Sequence, residues 1–547
     1  MAPPTLTSIE FQKKYMLALQ VDAAQFILDI LAEHSVGEDE VSDSLEHLAK
    51  GWMAQEYDSN LVTKPQIQRV YELLQVDSRE VGGAGGAGTY ALGEENELDP
   101  SQHLVFVDAF DMPRWMYSVE RHTFEKSSTP PNIAGSPASR TAFLRDRYHV
   151  IKQVVLRNEH FTPAVVPGLS QGDTNKLTST KNLLGCAGET FMLLGMLAHE
   201  PDGKLCLEDV DGKVLLDMSQ AASCQGLITE GCFVLVEGEY TDEDTLKVWQ
   251  IGHPPSERRG ASRSIFGHID FLGKGATTPA EDEEYARRIQ DFPHVSFVVI
   301  SDLWLDHPKT LIGLRSVLDR CVETGFTPFL FVFCGSFTSR GIGSGGAGIE
   351  QYTDNFSALG DLLASYREIS AVSHFLFVPG PLDPWGSTTL PRPAIPEPFV
   401  ARLKARLPRA VFLSNPCRVK FFGQEIVIFR EDLMARVLRN LVGVKQEIEA
   451  TELKRNLVQM VIDQEHLSPL PLTVQPILWE FDHALRLYPS PTALILADKY
   501  ERYEETYEGC HVFNPGSFIG NSFGFSTYFP HTRRSEESMM DDVVNGR

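Results

Sequence analysis

The sequence predicts a multidomain chain: an N-terminal all-α bundle, then a small β-barrel, then a layered α/β domain. Three observations predict it. Apolar residues recur at helical spacing near the N-terminus, Asp-Gly pairs separate short alternating strands between Cys186 and Ile251, and three buried-type apolar runs after His294 each end in a turn. At 547 residues the chain is too long for one core, which fits several domains.

Residues 1–76 supply the helical part. Val21, Ala24, Ile27, Leu28 and Leu31 fall on one helical face, as do Val41, Leu45 and Leu48. Thr63 can cap a further helix, with Pro65 in its first turn and Ile67, Val70, Tyr71 and Leu74 as its stripe. A small bundle of this kind, followed by a tether, reads as a docking module. The tether is 77–100, where Val81-Gly-Gly-Ala-Gly-Gly-Ala-Gly88 lacks the side chains to pack a core.

Residues 101–290 are expected to hold the barrel and its flanking segments. Leu104 to Val107 suggests a strand and Thr141 to Val155 a helix. Phe191 to Ala198, Leu205 and Leu207, Val214 to Met218, Phe233 to Val236 and Leu246 to Ile251 then make about five strands, with hairpin turns at Asp202-Gly203 and Asp211-Gly212. Five such strands are the size of an OB-like barrel. Three lysines, no arginine and thirteen acidic residues between Cys186 and Ile251 oppose a groove for single-stranded nucleic acid, so this barrel is expected to pack on protein. Residues 258 to 290 read as a polar connector.

Residues 291–547 alternate strand runs with helical patterns, as a layered α/β domain does. Val295 to Ile300 ends in Ser301-Asp302-Leu303-Trp304, Phe329 to Phe333 ends in Cys334-Gly335-Ser336, and Phe375 to Val378 ends in Pro379-Gly380-Pro381-Leu382-Asp383. Helical patterns cover Leu311 to Val322, Asn355 to Ile369 and Phe399 to Leu407. The Gly-rich stretch Ser339 to Gly348 is followed by Ile349-Glu350 where a phosphate-cradling loop would want Lys and Ser or Thr, so it reads as a flexible surface insertion.

Bulk composition narrows the function. With 49 Lys and Arg against 74 Asp and Glu, the net charge of −25 opposes a protein that binds nucleic acid over its whole surface. The eight cysteines show no Cys-x2-Cys pairing, so a structural zinc site is not expected, and most lie in apolar runs as reduced thiols would. Neither a secretory signal nor a run of about 18 apolar residues is visible, so an intracellular protein with no membrane span is expected.

The three strand ends resemble those of the metallophosphoesterase superfamily, the calcineurin-like phosphoesterase fold. That superfamily places Asp-x-His, Gly-Asp and Gly-Asn-His-Asp/Glu motifs there, so that two cations about 4 Å apart activate water. In this chain Asp302 is kept but Trp304 stands at the His position. Ser336 replaces the bridging Asp, and Pro381 and Leu382 replace Asn and His while Asp383 is kept. None of Trp, Pro and Leu can donate a lone pair to a hard cation. The expectation is an inactive site with no metal and no cofactor, in which Asp302, Asp383 and His466 serve hydrogen bonding. Lys499, in Ala497-Asp-Lys-Tyr500, would repel a cation.

That combination resembles the second (B) subunits of eukaryotic replicative DNA polymerases, in the epsilon branch. The resemblance runs through Leu194 to Leu197, Gly203 to Asp209, Ser301 to Asp306, Phe377 to Pro384, Pro391 to Pro396, Ser414 to Cys417, His466 to Leu470, Leu494 to Tyr500 and Phe513 to Ser517. It implies a nuclear, non-catalytic scaffold combining an OB-fold with an inactive phosphoesterase domain. Its implied partners are the C-terminal region of the catalytic subunit, replicative helicase components through the N-terminal domain, and small histone-fold subunits indirectly, with little direct DNA contact. Two alternatives stand beside it: a B subunit of polymerase alpha or delta, and a divergent metal-dependent phosphodiesterase using Asp302, Asp306, Asp383 and His466. Arg402, Lys404, Arg406 and Arg409 form a short basic strip that reads as a solvated helix face.

Overall fold

The computed structural model describes residues 17–33, 41–53, 61–71, 99–162, 175–222, 226–342, 346–384, 388–442 and 450–539. Most of the 77–100 segment lies outside these. Near the N-terminus, helices Val21–Glu33 and Val41–Met53 and a helical run over 64–71 enclose Ile27, Leu31, Leu45, Leu48, Trp52, Ile67 and Val70. The apolar stripe thus faces its own small core. One feature departs from an all-α expectation: Ala18–Leu19 pairs in parallel with Leu61–Val62. Thr63 does open the third helical run, and Gln66 reaches back to accept from its backbone N–H at 2.9 Å.

The barrel closes in five strands. Thr190–His199 pairs with Leu205–Glu208, which pairs with Lys213–Asp217. That strand runs parallel to Thr245–Gly252, and Phe233–Tyr240 pairs on both sides and shuts the ring. Alternate residues point inward, among them Leu193, Leu197, Leu207, Val214, Val234, Val236, Leu246 and Val248. Helix Pro137–Arg157 lies against the barrel through Tyr148, Ile151 and Val155, facing Leu194 and Phe233. It begins four residues earlier than the apolar periodicity predicts, because Ser136 and Ser139 form a capping box and Pro137 takes the first position.

The C-terminal region is two six-stranded sheets laid face to face. In the first, Ala410–Phe412, His374–Val378, Leu330–Cys334 and Phe297–Ser301 run parallel, extended by antiparallel Phe525–Phe529 and Arg534–Ser538. The second runs Tyr503–Tyr507, Cys510–Asn514, Ala493–Ala497, Gln424–Arg430, Cys417–Phe421 and Leu104–Asp108. Val299, Val332 and Leu376 of one sheet meet Val419, Ile428 and Ile495 of the other. Helices Pro308–Thr324, Gly346–Ser365 and Glu397–Arg406 cover the outer face of the first sheet. With both faces buried, these strands carry continuous apolar runs rather than alternation.

Three expectations change. Leu104–Asp108, placed by sequence with the barrel segment, is the edge strand of the second sheet, hydrogen-bonded along Cys417–Phe421. The connector 258–290 contains helices Arg259–Phe266 and Pro279–Arg288, the second opened by a Thr278/Glu281 capping box. Gly346 and Gly348 of the Gly-rich stretch form the first turn of helix Gly346–Ser365, while 343–345 lie outside the described residues. Among the described residues no helix is long and apolar enough to cross a membrane.

Barrel and sheets share one core. Leu193, Leu197, Val234 and Val236 belong to the same buried cluster as Val427, Phe429, Met434, Leu457, Val458, Leu494 and Val512. One polar clasp sits in that seam: the Gln464 amide accepts from Phe233 N–H at 2.7 Å and donates to its carbonyl at 2.7 Å. Replacing Gln464 by Ala leaves both buried backbone groups of Phe233 unpaired and is expected to cost about 2–5 kcal/mol, read as a lower urea midpoint at unchanged slope.

Candidate functional site

Parallel strands deliver their C-terminal ends to one edge of a sheet, and the turns that follow make a site there. Asp302 leaves Phe297–Ser301 with φ +56°, a left-handed conformation that Asp tolerates better than most residues. Gly335 and Gly380 follow the next two strands, and their turns interlock. A Cβ on Gly335 would lie 2.1 Å from Asp383 Oδ2, and one on Gly380 would lie 2.4 Å from Ser336 N. Only glycine permits that approach.

The predicted residues of the three turns do come together, held by hydrogen bonds within the chain. Asp383 is buried and accepts from Phe337 N at 2.8 Å, Tyr352 Oη at 3.0 Å and Gly380 N at 2.7 Å. Burial pushes its carboxyl up to about 6, against the pull of those donors. Ser336 Oγ accepts from Leu382 N at 3.2 Å. Asp306 binds the neighbouring turn, accepting from Ser339 N at 2.9 Å and Ser339 Oγ at 2.7 Å. Pro381 and Leu382 are half-buried beside them.

The group that organises this site is Arg430, which the motif reading passed over. Its fully buried guanidinium donates to Asp302 Oδ1 at 2.6 Å, Gly335 O at 2.5 Å, Asp432 Oδ1 at 2.9 Å and Ala497 O at 3.2 Å. Burial works against its charge, but Asp302 and Asp432 outweigh burial and hold it protonated. Lys499 Nζ adds a second positive charge, 3.4 Å from Asp432 Oδ2 and 5.9 Å from the centre of the half-buried Trp304 ring. Asn415 completes the ring, donating to Pro379 O at 3.0 Å and Arg430 O at 2.6 Å. Sequence held one clue: Arg430-Glu-Asp432 ends the buried run Ile426 to Phe429, an abrupt charge at a strand end.

A guanidinium stands against Asp302, and the side chains of Trp304, Pro381 and Leu382 offer no lone pair to a hard cation, so these turns do not fit a pair of metal ions. Among the described residues no group of three or more His, Cys, Asp or Glu side chains is arranged to hold a metal ion.

His466 has a different set of partners. Its Nδ1 accepts from Ser468 N at 3.0 Å, so the proton sits on Nε2, 3.3 Å from Asp482 Oδ1. Asp482 is in turn held by Arg147 of helix Pro137–Arg157 at 2.5 Å. Three charges of the basic strip are ion-paired, Arg402 with Asp354, Lys404 with Glu397 and Arg406 with Asp361, while Arg409 donates to the neutral Val372 O.

Two family models match the chain. One, for the B subunit of DNA polymerase alpha/epsilon, matches residues 297–505, and the other, DNA polymerase epsilon subunit 2-like, OB-fold domain, matches 137–255. An OB barrel fused to this double sheet is therefore the B-type class of polymerase accessory chains, distinct from the catalytic subunit. The DNA polymerase epsilon B subunit of Schizosaccharomyces pombe is 33% identical across 95% of this chain and 93% of its own length. DNA polymerase epsilon subunit 2 of Homo sapiens is 33% identical across 99% of both. The corresponding B subunit of Arabidopsis thaliana is 35% identical across 87% of this chain and 90% of its own. The chain belongs to the DNA polymerase epsilon B-subunit family, and is thus an accessory subunit for DNA replication. A solved archaeal phosphodiesterase covers 45% of this chain and all of its own at 11% identity, with a TM-score of 0.24, too weak to bear on the fold.

Burial, with Arg147 next, holds His466 down to about 4 from an ordinary 6.5. The unfolded chain therefore binds the extra proton first, so this contribution is present above pH 6.5 and is lost as pH falls toward 4. His466→Gln is expected to lose less stability over that interval than the wild-type chain, by up to roughly 3 kcal/mol, in urea titrations at each pH.

Proposed function

We propose that this chain is a non-catalytic scaffold of DNA polymerase epsilon in the nucleus, with a phosphoesterase-like site that has lost its chemistry. The observation that carries the reading is the Arg430 guanidinium, seated on Asp302 where the superfamily keeps a metal ligand. Trp304, Ser336, Pro381 and Leu382 stand in place of the remaining ligands, and Asp383 is committed to three donors inside the fold. The rival phosphodiesterase reading needs Asp302, Asp306, Asp383 and His466 to act on one substrate. Asp306 and His466 instead serve separate hydrogen-bond sets.

In this reading residues 101–290 and 291–547 act as one rigid unit that binds the C-terminal region of the catalytic subunit, supported by the core that barrel and sheets share. Residues 1–76 form a small helical docking domain for replicative helicase components. The 77–100 tether lets that domain reach its partner, and histone-fold subunits join only indirectly. The −25 charge agrees with little direct DNA contact.

The test is reconstitution with the catalytic subunit and helicase components. Deleting residues 1–76 should leave the hold on the catalytic subunit intact and weaken helicase association by about tenfold or more, as loss of one arm of a bivalent contact does. Loss of both interactions would refute the modular division. Manganese titration calorimetry on the full chain should show no heat above buffer, and saturable uptake would revive the phosphodiesterase reading.

A further inference from the structure

We propose that a recess beside helix Arg259–Phe266 is a docking pocket for one carboxylate side chain of an acidic partner peptide. It lies between that helix, the loop 269–277 and the turn joining strands Cys417–Phe421 and Gln424–Arg430. The cavity measures about 40 Å³, room for roughly three waters or one carboxylate group. It shares no residue with the strand-end turns, so whether those turns are catalytic has no bearing on it.

The wall carries three cations, Arg259, Arg263 and Lys420, against two carboxylates, Asp270 and Glu425. Both carboxylates are engaged already. Glu425 accepts from Arg418 and stands 3.9 Å from Arg259, and Asp270 accepts from Gly275 N at 2.7 Å and Lys274 N at 3.1 Å. Arg263 is matched by Asp282 at 2.5 Å. Arg259 and Lys420 differ, because their hydrogen bonds go to neutral backbone carbonyls. Arg259 donates to Ser490 O at 2.6 Å and Gly423 O at 3.5 Å, and Lys420 to Gly275 O at 2.8 Å. Burial pulls both cations below their ordinary pKa, with Arg263 adding to it. The facing carboxylates of Asp270, Glu281, Asp282 and Glu425 do not offset that pull. Positive charge held in a recess against neutral partners is the complement of an anion.

The surplus in the wall is a single charge, which suits a carboxylate better than a phosphate dianion. Ile269, Leu272 and Pro489 are buried beside it and Phe271 is half-buried. They exclude water, which strengthens an ion pair, and they give the apolar neighbours of an acidic residue a place to rest. A net charge of −25 repels a long polyanion such as nucleic acid, whereas one carboxylate among apolar residues meets little of that repulsion.

The test is titration calorimetry on the full-length chain with a short capped peptide holding one glutamate between leucines, beside its glutamine counterpart. The glutamate peptide should bind saturably and about tenfold or more tightly than the glutamine one, as one charge-assisted contact gives. Lys420→Met should abolish that preference and Lys420→Arg should retain it. Lys420→Gln serves in place of the methionine variant if that one does not fold. Equal binding of the two peptides, or an undiminished preference in the neutral variant, would overturn the proposal. Displacement of the peptide by inorganic phosphate or a single-stranded oligonucleotide at an equal concentration would overturn the ligand class.

Discussion

A single buried guanidinium fixes how the two sheets meet. Arg430 ends the Gln424–Arg430 strand and reaches the ends of Phe297–Ser301, Leu330–Cys334 and Ala497, so four strand ends share one charge. Placing that charge in a low-dielectric interior is expensive. It is sustained because each of the three nitrogens finds an oxygen and two of the four oxygens belong to carboxylates. Removing one partner of such a pair exposes the full desolvation cost, of about 3–5 kcal/mol. The apolar layer lies between the sheets, and the guanidinium ties their strand ends together at one edge.

Around that point the turns are packed too tightly to vary independently. Gly335 and Gly380 touch through their backbones, Asp383 ties Gly380 and Phe337 to Tyr352 of the covering helix, and Asn415 closes the fourth turn. A second buried charge, between Arg392 and Glu431, lies one residue along the chain from Arg430. The volume at this edge is taken by the protein's own polar groups.

The barrel takes part in the same rigid body. Its inward strands and the second sheet bury one continuous cluster, and Gln464 satisfies a barrel strand from the other domain. A barrel whose wall is a domain interface is consistent with its deficit of basic residues. It presents acidic loops such as Asp209 and Asp211, whose carboxylates are used to hold the Ser179–Thr180 turn.

How much of this was legible depends on the range of the interactions involved. Alternation with Asp-Gly turns located the five barrel strands, and continuous apolar runs marked the sheet core, because both signals are local. The strand-end motifs located Asp302, Ser336 and Asp383 at one site, since parallel strands bring their ends to one edge. His466 and Asp306 were grouped with them by motif alone, and the fold assigns each to other partners. The fate of Leu104–Asp108, whose partner strand lies more than three hundred residues away, had no local signal at all. The order of residues was enough for most of the elements and for the family. That Arg430 stands against Asp302 was decided by the folded arrangement, because the two meet across 128 residues of chain, and one-dimensional spacing does not encode a contact made by stacking two sheets.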